Sequence, residues 1–138
     1  MPATASAATG GWSVDLNVDN DVVVAADRDY TSGVRLAVST PDLVGFATDP
    51  TLPSWMRAAQ RVLAPLAPAP LEARNAVWSL SHLMFTPTDR GPRSAGRVDR
   101  PYAGWIELSA ALSARDTDRL RSVAVGVGMP MPPPPRTR

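Results

Sequence analysis

The chain has no cysteine. That excludes disulfides, thiolate metal centres and a cysteine nucleophile. It also lacks an excess of either charge: 14 basic and 13 acidic residues leave a formal net charge of +1. Without a global positive field, a nucleic acid is not the partner. No apolar run reaches the roughly 18 residues of a transmembrane helix, which leaves only strands as a means of crossing a bilayer. The first ten residues, MPATASAATG, lack the basic start and apolar core of a signal peptide. The small-x-small triplets Ala3-Thr4-Ala5 and Ala5-Ser6-Ala7 leave two readings of residues 1–11, the remnant of an export signal or a flexible leader. Proline, by contrast, is abundant: 15 in 138 residues limit the amount of regular structure.

At this length the chain is at most one ordinary domain. Its dominant periodicity is two. From Trp12 to Asp19, Trp12, Val14, Leu16 and Val18 alternate with Ser13, Asp15, Asn17 and Asp19, a strand with one apolar and one polar face. The polar face carries two carboxylates and an amide, which suits a wet surface such as the lumen of a barrel whose other face meets lipid. Tyr30 to Ser39 repeats the pattern, with Val34, Leu36 and Val38 opposite Gly33, Arg35 and Ser39. A third strand runs from Ala76 to Thr86 and puts His82, the only histidine, on the apolar side with Trp78, Leu80 and Met84. The string Asp99 to Trp105 opens a fourth, which runs to about Leu112 with Tyr102, Ile106, Leu108 and Leu112 on one face, and a fifth spans Leu120 to Gly128.

Between the second and third strands, Thr51 to Ala64 has helical spacing. Thr51 is the expected N-cap, Pro53 falls in the first turn, and Trp55, Ala59, Val62 and Leu63 form the expected apolar face. Such a helix packs on its own domain or lies on a membrane surface. Residues 129–138, MPMPPPPRTR, form a tail no strand can follow. Aromatics near the strand ends (Trp12, Tyr30, Trp78, Tyr102, Trp105) read as the girdle of a membrane barrel. The competing reading is a small soluble meander with ordinary aromatic core residues.

The densest chemistry lies from Asp19 to Gly33, DNDVVVAADRDYTSG. Asp19, Asp21, Asp27 and Asp29 crowd one inter-strand segment. This is either a solvated acidic turn or an oxygen-rich pocket for a hard cation. A second segment, Asp89 through Arg100, is basic, with Arg90, Arg93 and Arg97.

Three pieces in this order resemble the N-terminal part of the lipid A deacylase family: Asn20-Asp21; then Asp27-Arg28-Asp29-Tyr30-Thr31-Ser32-Gly33; then Met84-Phe85-Thr86-Pro87 followed by Asp99-Arg100-Pro101-Tyr102-Ala103-Gly104-Trp105. The last string is the most specific. The resemblance extends from about Trp12 to Gly128. It implies an all-β, antiparallel up-and-down outer-membrane barrel of about twelve strands, of which residues 12–128 would supply about five, with one short loop helix. It also implies calcium-dependent hydrolysis of the 3′-acyl ester of lipid A, a lipopolysaccharide component, at a site near the outer leaflet, beside the barrel wall and a loop helix. Carried over by motif, Asn20, Asp21 and Thr31 become the catalytic and calcium-site residues, with Asp27, Asp29, Arg90, Arg93 and Asp99 in support.

The sequence departs from the family pattern in two places. No lysine matches the family's basic residue near the Thr-Pro element, a charge that Arg90 or Arg93 would supply. The family's catalytic histidine follows a run such as Val125-Gly126-Val127-Gly128, where this chain turns to proline and arginine. The expectation is therefore a truncated or frameshifted, inactive member. The alternative is a small soluble β-rich module that binds a divalent cation without catalysis.

Overall fold

A computed structural model describes residues 3–9, 11–20, 32–85 and 103–131. These form one antiparallel sheet in strict sequence order: β1 (Ala3–Thr9), β2 (Trp12–Asn20), β3 (Ser32–Ser39), β4 (Ala73–Phe85), β5 (Ala103–Arg115) and β6 (Leu120–Met131). A helix, α1 (Ser54–Leu63), and a 3₁₀ turn (Ala64–Leu66) interrupt the path from β3 to β4. The sheet is an open up-and-down meander. The outer edges of β1 and β6 have no partner strand among the described residues.

Register decides what each face displays. Val18, Val34, His82, Ile106 and Met129 share one row, and Leu16, Leu36, Leu80, Leu108 and Val127 the next. The following row holds Val14, Val38, Trp78, Ala110 and Val125. The same pairing gathers Asp15, Ala37, Ser79, Ser109 and Gly126 on the opposite face, with Asn17, Arg35, Ser81, Glu107 and Gly128 beside them. The apolar face is open: Leu36, Leu80, Leu108 and Val127 are 44%, 48%, 54% and 76% accessible. The polar face binds itself together, with Arg35 Nη2 donating to Ser79 Oγ at 3.3 Å, Ser79 and Ser109 hydroxyls 2.7 Å apart, and Ser113 and Ser122 hydroxyls 2.9 Å apart. Polar-in and apolar-out alternation is the arrangement of a barrel wall in lipid. At 13, 13 and 12 residues, β4, β5 and β6 exceed the roughly 9–11 a tilted spanning strand requires.

The buried core is small and lies at one end, on the apolar side. Leu43, Leu52 and Met56 from the β3–β4 connection close over Ala76 and Leu112, with Trp12, Phe46, Leu63 and Trp78 around them. Residues 40–44 hold the end of β4: Thr40 N donates to Ala76 O, Ala76 N donates to Thr40 Oγ1, and Leu43 N donates to Arg74 O at 2.9, 2.9 and 2.7 Å. Asp49 shapes the next turn. Its carboxylate accepts from Val44 N (2.7 Å), Thr51 N (2.9 Å) and the Thr51 hydroxyl. Those bonds, the Thr51 hydroxyl first, lower its pKa below 3.8 against the opposing effect of burial. A lowered folded pKa means stability that is present above about 3.8 and is lost as pH falls through the folded value. Asp49→Ala is expected to cost about 1–2 kcal/mol at neutral pH. Thermal melts of the two chains should converge as the pH drops below 4; a constant gap across that range would refute the assignment.

Several expectations change here. Residues 3–9, read as leader, form β1. Its Ala, Ser and Thr side chains offer no apolar–polar contrast for periodicity to detect. β6 continues through Met129, Pro130 and Met131, part of the expected tail. Pro130 is tolerated because β6 has no second partner strand among the described residues, so a missing N–H need not break a ladder. The α1 N-cap is Pro53, without a side-chain bond, because Thr51 is engaged with Asp49. The helix also turns a different face inward. Met56 and Gln60 are buried, whereas Trp55 and Val62 are 60% and 78% accessible. Trp105, counted among the girdle, lies on the polar face.

Candidate active site at one end of the sheet

Asn20, Ser32, Met84, Gly104 and Met131 form one terminal row of the sheet, linked pairwise from β2 to β6. Both motif-bearing connections, residues 21–31 and 86–102, leave from this row. The residues that anchor these two connections, Asn20, Ser32, Met84 and Gly104, thus share one row of the sheet although they are far apart in sequence. Of the expected site residues, Asn20 closes β2 opposite Ser32. Asp21 and Thr31 are the chain neighbours of that last register pair. Asp21, Asp27, Asp29, Thr31, Arg90, Arg93 and Asp99 lie outside the described residues, as do Tyr30, Tyr102 and residues 132–138. Among the described residues, no three carboxylate or imidazole side chains gather into a cation site.

The donor set Asn20, Asp21 and Thr31 consists of an amide, a carboxylate and a hydroxyl. All offer oxygen, the donor that calcium takes, so the residues fit the ion by chemistry. α1, the one helix of ordinary α type among the described residues, joins β3 to β4 at the opposite end.

Below the terminal row, the polar face carries a feature that sequence inspection missed. Trp105 is a bulky apolar side chain among the polar-face positions of β5, two residues from Glu107, and that departure was the available signal. The Trp105 indole lies across β6 at Gly128, and its Nε1 donates to Glu107 Oε2 at 3.2 Å. A Cβ on Gly128 would stand 2.7 Å from that nitrogen and closer still to the ring. Gly128→Ala is therefore expected to displace the indole and cost about 1–2 kcal/mol, the usual penalty of overpacking. Near-ultraviolet circular dichroism should lose its Trp105 contribution, and an unchanged spectrum and melting temperature would contradict the packing. His82 sits half-buried on the apolar face, in the row of Val34 and Ile106. That position faces away from the polar side.

An open antiparallel wall with one polar and one apolar face defines the class, an up-and-down β-sheet consistent with part of a barrel. The chain belongs to the family described as outer membrane protein LpxR, whose model matches residues 1–130. No curated protein and no solved structure matches it.

Proposed function

We propose that the chain is a lipid A 3′-O-deacylase-like protein of the bacterial outer membrane, with lipid A of lipopolysaccharide as substrate. The observation that supports this most is the shared terminal row. Asn20-Asp21, Thr31-Ser32-Gly33 and the Asp99–Trp105 string all adjoin one end of a wall whose outer face is apolar. An acyl chain lying along that face would bring its ester to the row.

Asn20, Asp21 and Thr31 are the proposed calcium and substrate residues, and Asp27, Asp29, Arg90, Arg93 and Asp99 support them. The arginines pair with the phosphates of lipid A, to which the guanidinium fork is matched. When bound, calcium would polarise the ester carbonyl and stabilise the tetrahedral oxyanion. Hydrolysis forms a bond from water oxygen to the acyl carbon, breaks the bond to the sugar oxygen and returns a proton to that oxygen. A base must take the proton from water. His82, the sole imidazole, is turned to the apolar side and cannot serve. The histidine base that the family resemblance implies thus has no counterpart in this chain, and on that ground we read it as inactive.

The test is calcium titration of the chain in detergent micelles, with lipid A hydrolysis followed by mass spectrometry. Asp21→Ala is expected to weaken calcium binding at least tenfold, about 1.4 kcal/mol, with no acyl release from either chain. Unchanged calcium affinity would remove the site assignment. Acyl release by the unaltered chain would refute its inactivity.

A further inference from the structure

The helix between β3 and β4 has two apolar faces, and the core uses only one. Met56 and Leu63 pack with Leu112 and Ala76, which fixes α1 on the outward, apolar side of the sheet. Trp55, Val62 and, one turn later, Leu66 recur at helical spacing and are 60%, 78% and 53% accessible. Arg61, exposed, precedes Val62 on the helix, and α1 contains no acidic residue. Trp55 meets Trp78 edge-on, with ring centroids 6.0 Å apart. Trp78 adjoins the row of Leu36, Leu80 and Leu108 along β4. The exposed stripe is thus continuous with the wall's apolar surface.

We infer that α1 is an interfacial collar. It seats Trp55, Val62 and Leu66 in the headgroup–acyl boundary of the leaflet opposite the candidate site, with Arg61 on anionic lipid phosphates. Tryptophan at the boundary, aliphatic residues on the same stripe and an arginine beside them are the composition of helices that lie in a bilayer surface. The occupant is the lipid boundary because the stripe extends a surface that the family reading already gives to lipid, and the inference rests on that reading.

Because the chain has no cysteine, a single introduced cysteine carries a unique spin label. The probes are full-length Leu80→Cys, Val62→Cys and Arg119→Cys chains in vesicles of phosphatidylglycerol and phosphatidylcholine, with depth read from oxygen against aqueous-nickel relaxation. The label at 80 should be deep, that at 119 aqueous and that at 62 between them. A label at 62 as aqueous as that at 119, beside a deep label at 80, overturns the collar and leaves the lipid-facing wall intact. A label at 62 as deep as that at 80 also overturns it. An aqueous label at 80 overturns both readings. Adding Arg61→Glu should at least halve the immobilised fraction at 62 in phosphatidylglycerol vesicles and leave it unchanged in pure phosphatidylcholine. Equal effects in the two would remove the phosphate contact.

Discussion

Leu80→Arg is expected to prevent stable insertion of the chain into bilayers, whereas Ser81→Arg, one residue on, is expected to leave it unaffected. Leu80 lies in the middle row of the apolar face, between Leu36 and Leu108. An arginine at the midplane of a lipid-facing strand costs about 2–4 kcal/mol. Ser81 lies on the polar face between Arg35 and Glu107, where a further polar side chain meets others of its kind. Resistance of the inserted chain to added protease, compared between the two variants in vesicles, separates the outcomes. Equal protection would mean that the strand faces are assigned the wrong way round. A soluble cation-binding module predicts a different pattern, with both variants folded in plain buffer.

Gln60→Leu is expected to stabilise the chain. Gln60 is fully buried beneath α1, and among the described residues neither atom of its amide has a hydrogen-bond partner. Each unpaired buried polar group costs about 1–3 kcal/mol, and a leucine of similar volume has nothing left to satisfy. The expected gain is about 2 kcal/mol or more, read as a higher denaturant midpoint in micelles with an unchanged slope. Gln60→Ala should instead lower the midpoint, because the cavity it leaves adds to the lost packing. A loss of stability in Gln60→Leu would mean that the amide has a partner after all.

The sequence revealed the wall and hid its ends. Over the described residues, the alternation read at Trp12–Asp19, Tyr30–Ser39 and Ala76–Thr86 gave both faces correctly, since a period-two strand leaves no choice once one face is apolar. His82 was placed on the right side by the same argument. The inward face of the helix was misread for the complementary reason. In water the most apolar stripe turns inward, but next to a lipid-facing wall it can remain outside while Met56 and Gln60 pack beneath. β1 was missed because alternation of Ala with Thr or Ser carries almost no amphipathic contrast. The site was legible as motifs only. Of its residues, Asn20 has a place in the sheet, and that place depends on a register that pairs it with Ser32, which no local pattern encodes.

The strictly sequential strand order has a kinetic consequence. Each strand pairs only with its neighbours in the chain, so assembly can proceed by successive hairpins, those with the shorter loops closing first. The β5–β6 hairpin has the tightest described connection among the long strands. There Asp116 Oδ1 accepts from Asp118 N and Arg119 N at 3.0 and 2.8 Å, and Asp116 N donates to Arg119 O at 2.9 Å. The β3–β4 pair must wait for residues 40–72 to fold, including the helix. Pairing should therefore spread from the C-terminal hairpin toward β4, with the β2–β3 unit joining last. Hydrogen exchange pulsed during refolding would find β5 and β6 protected first.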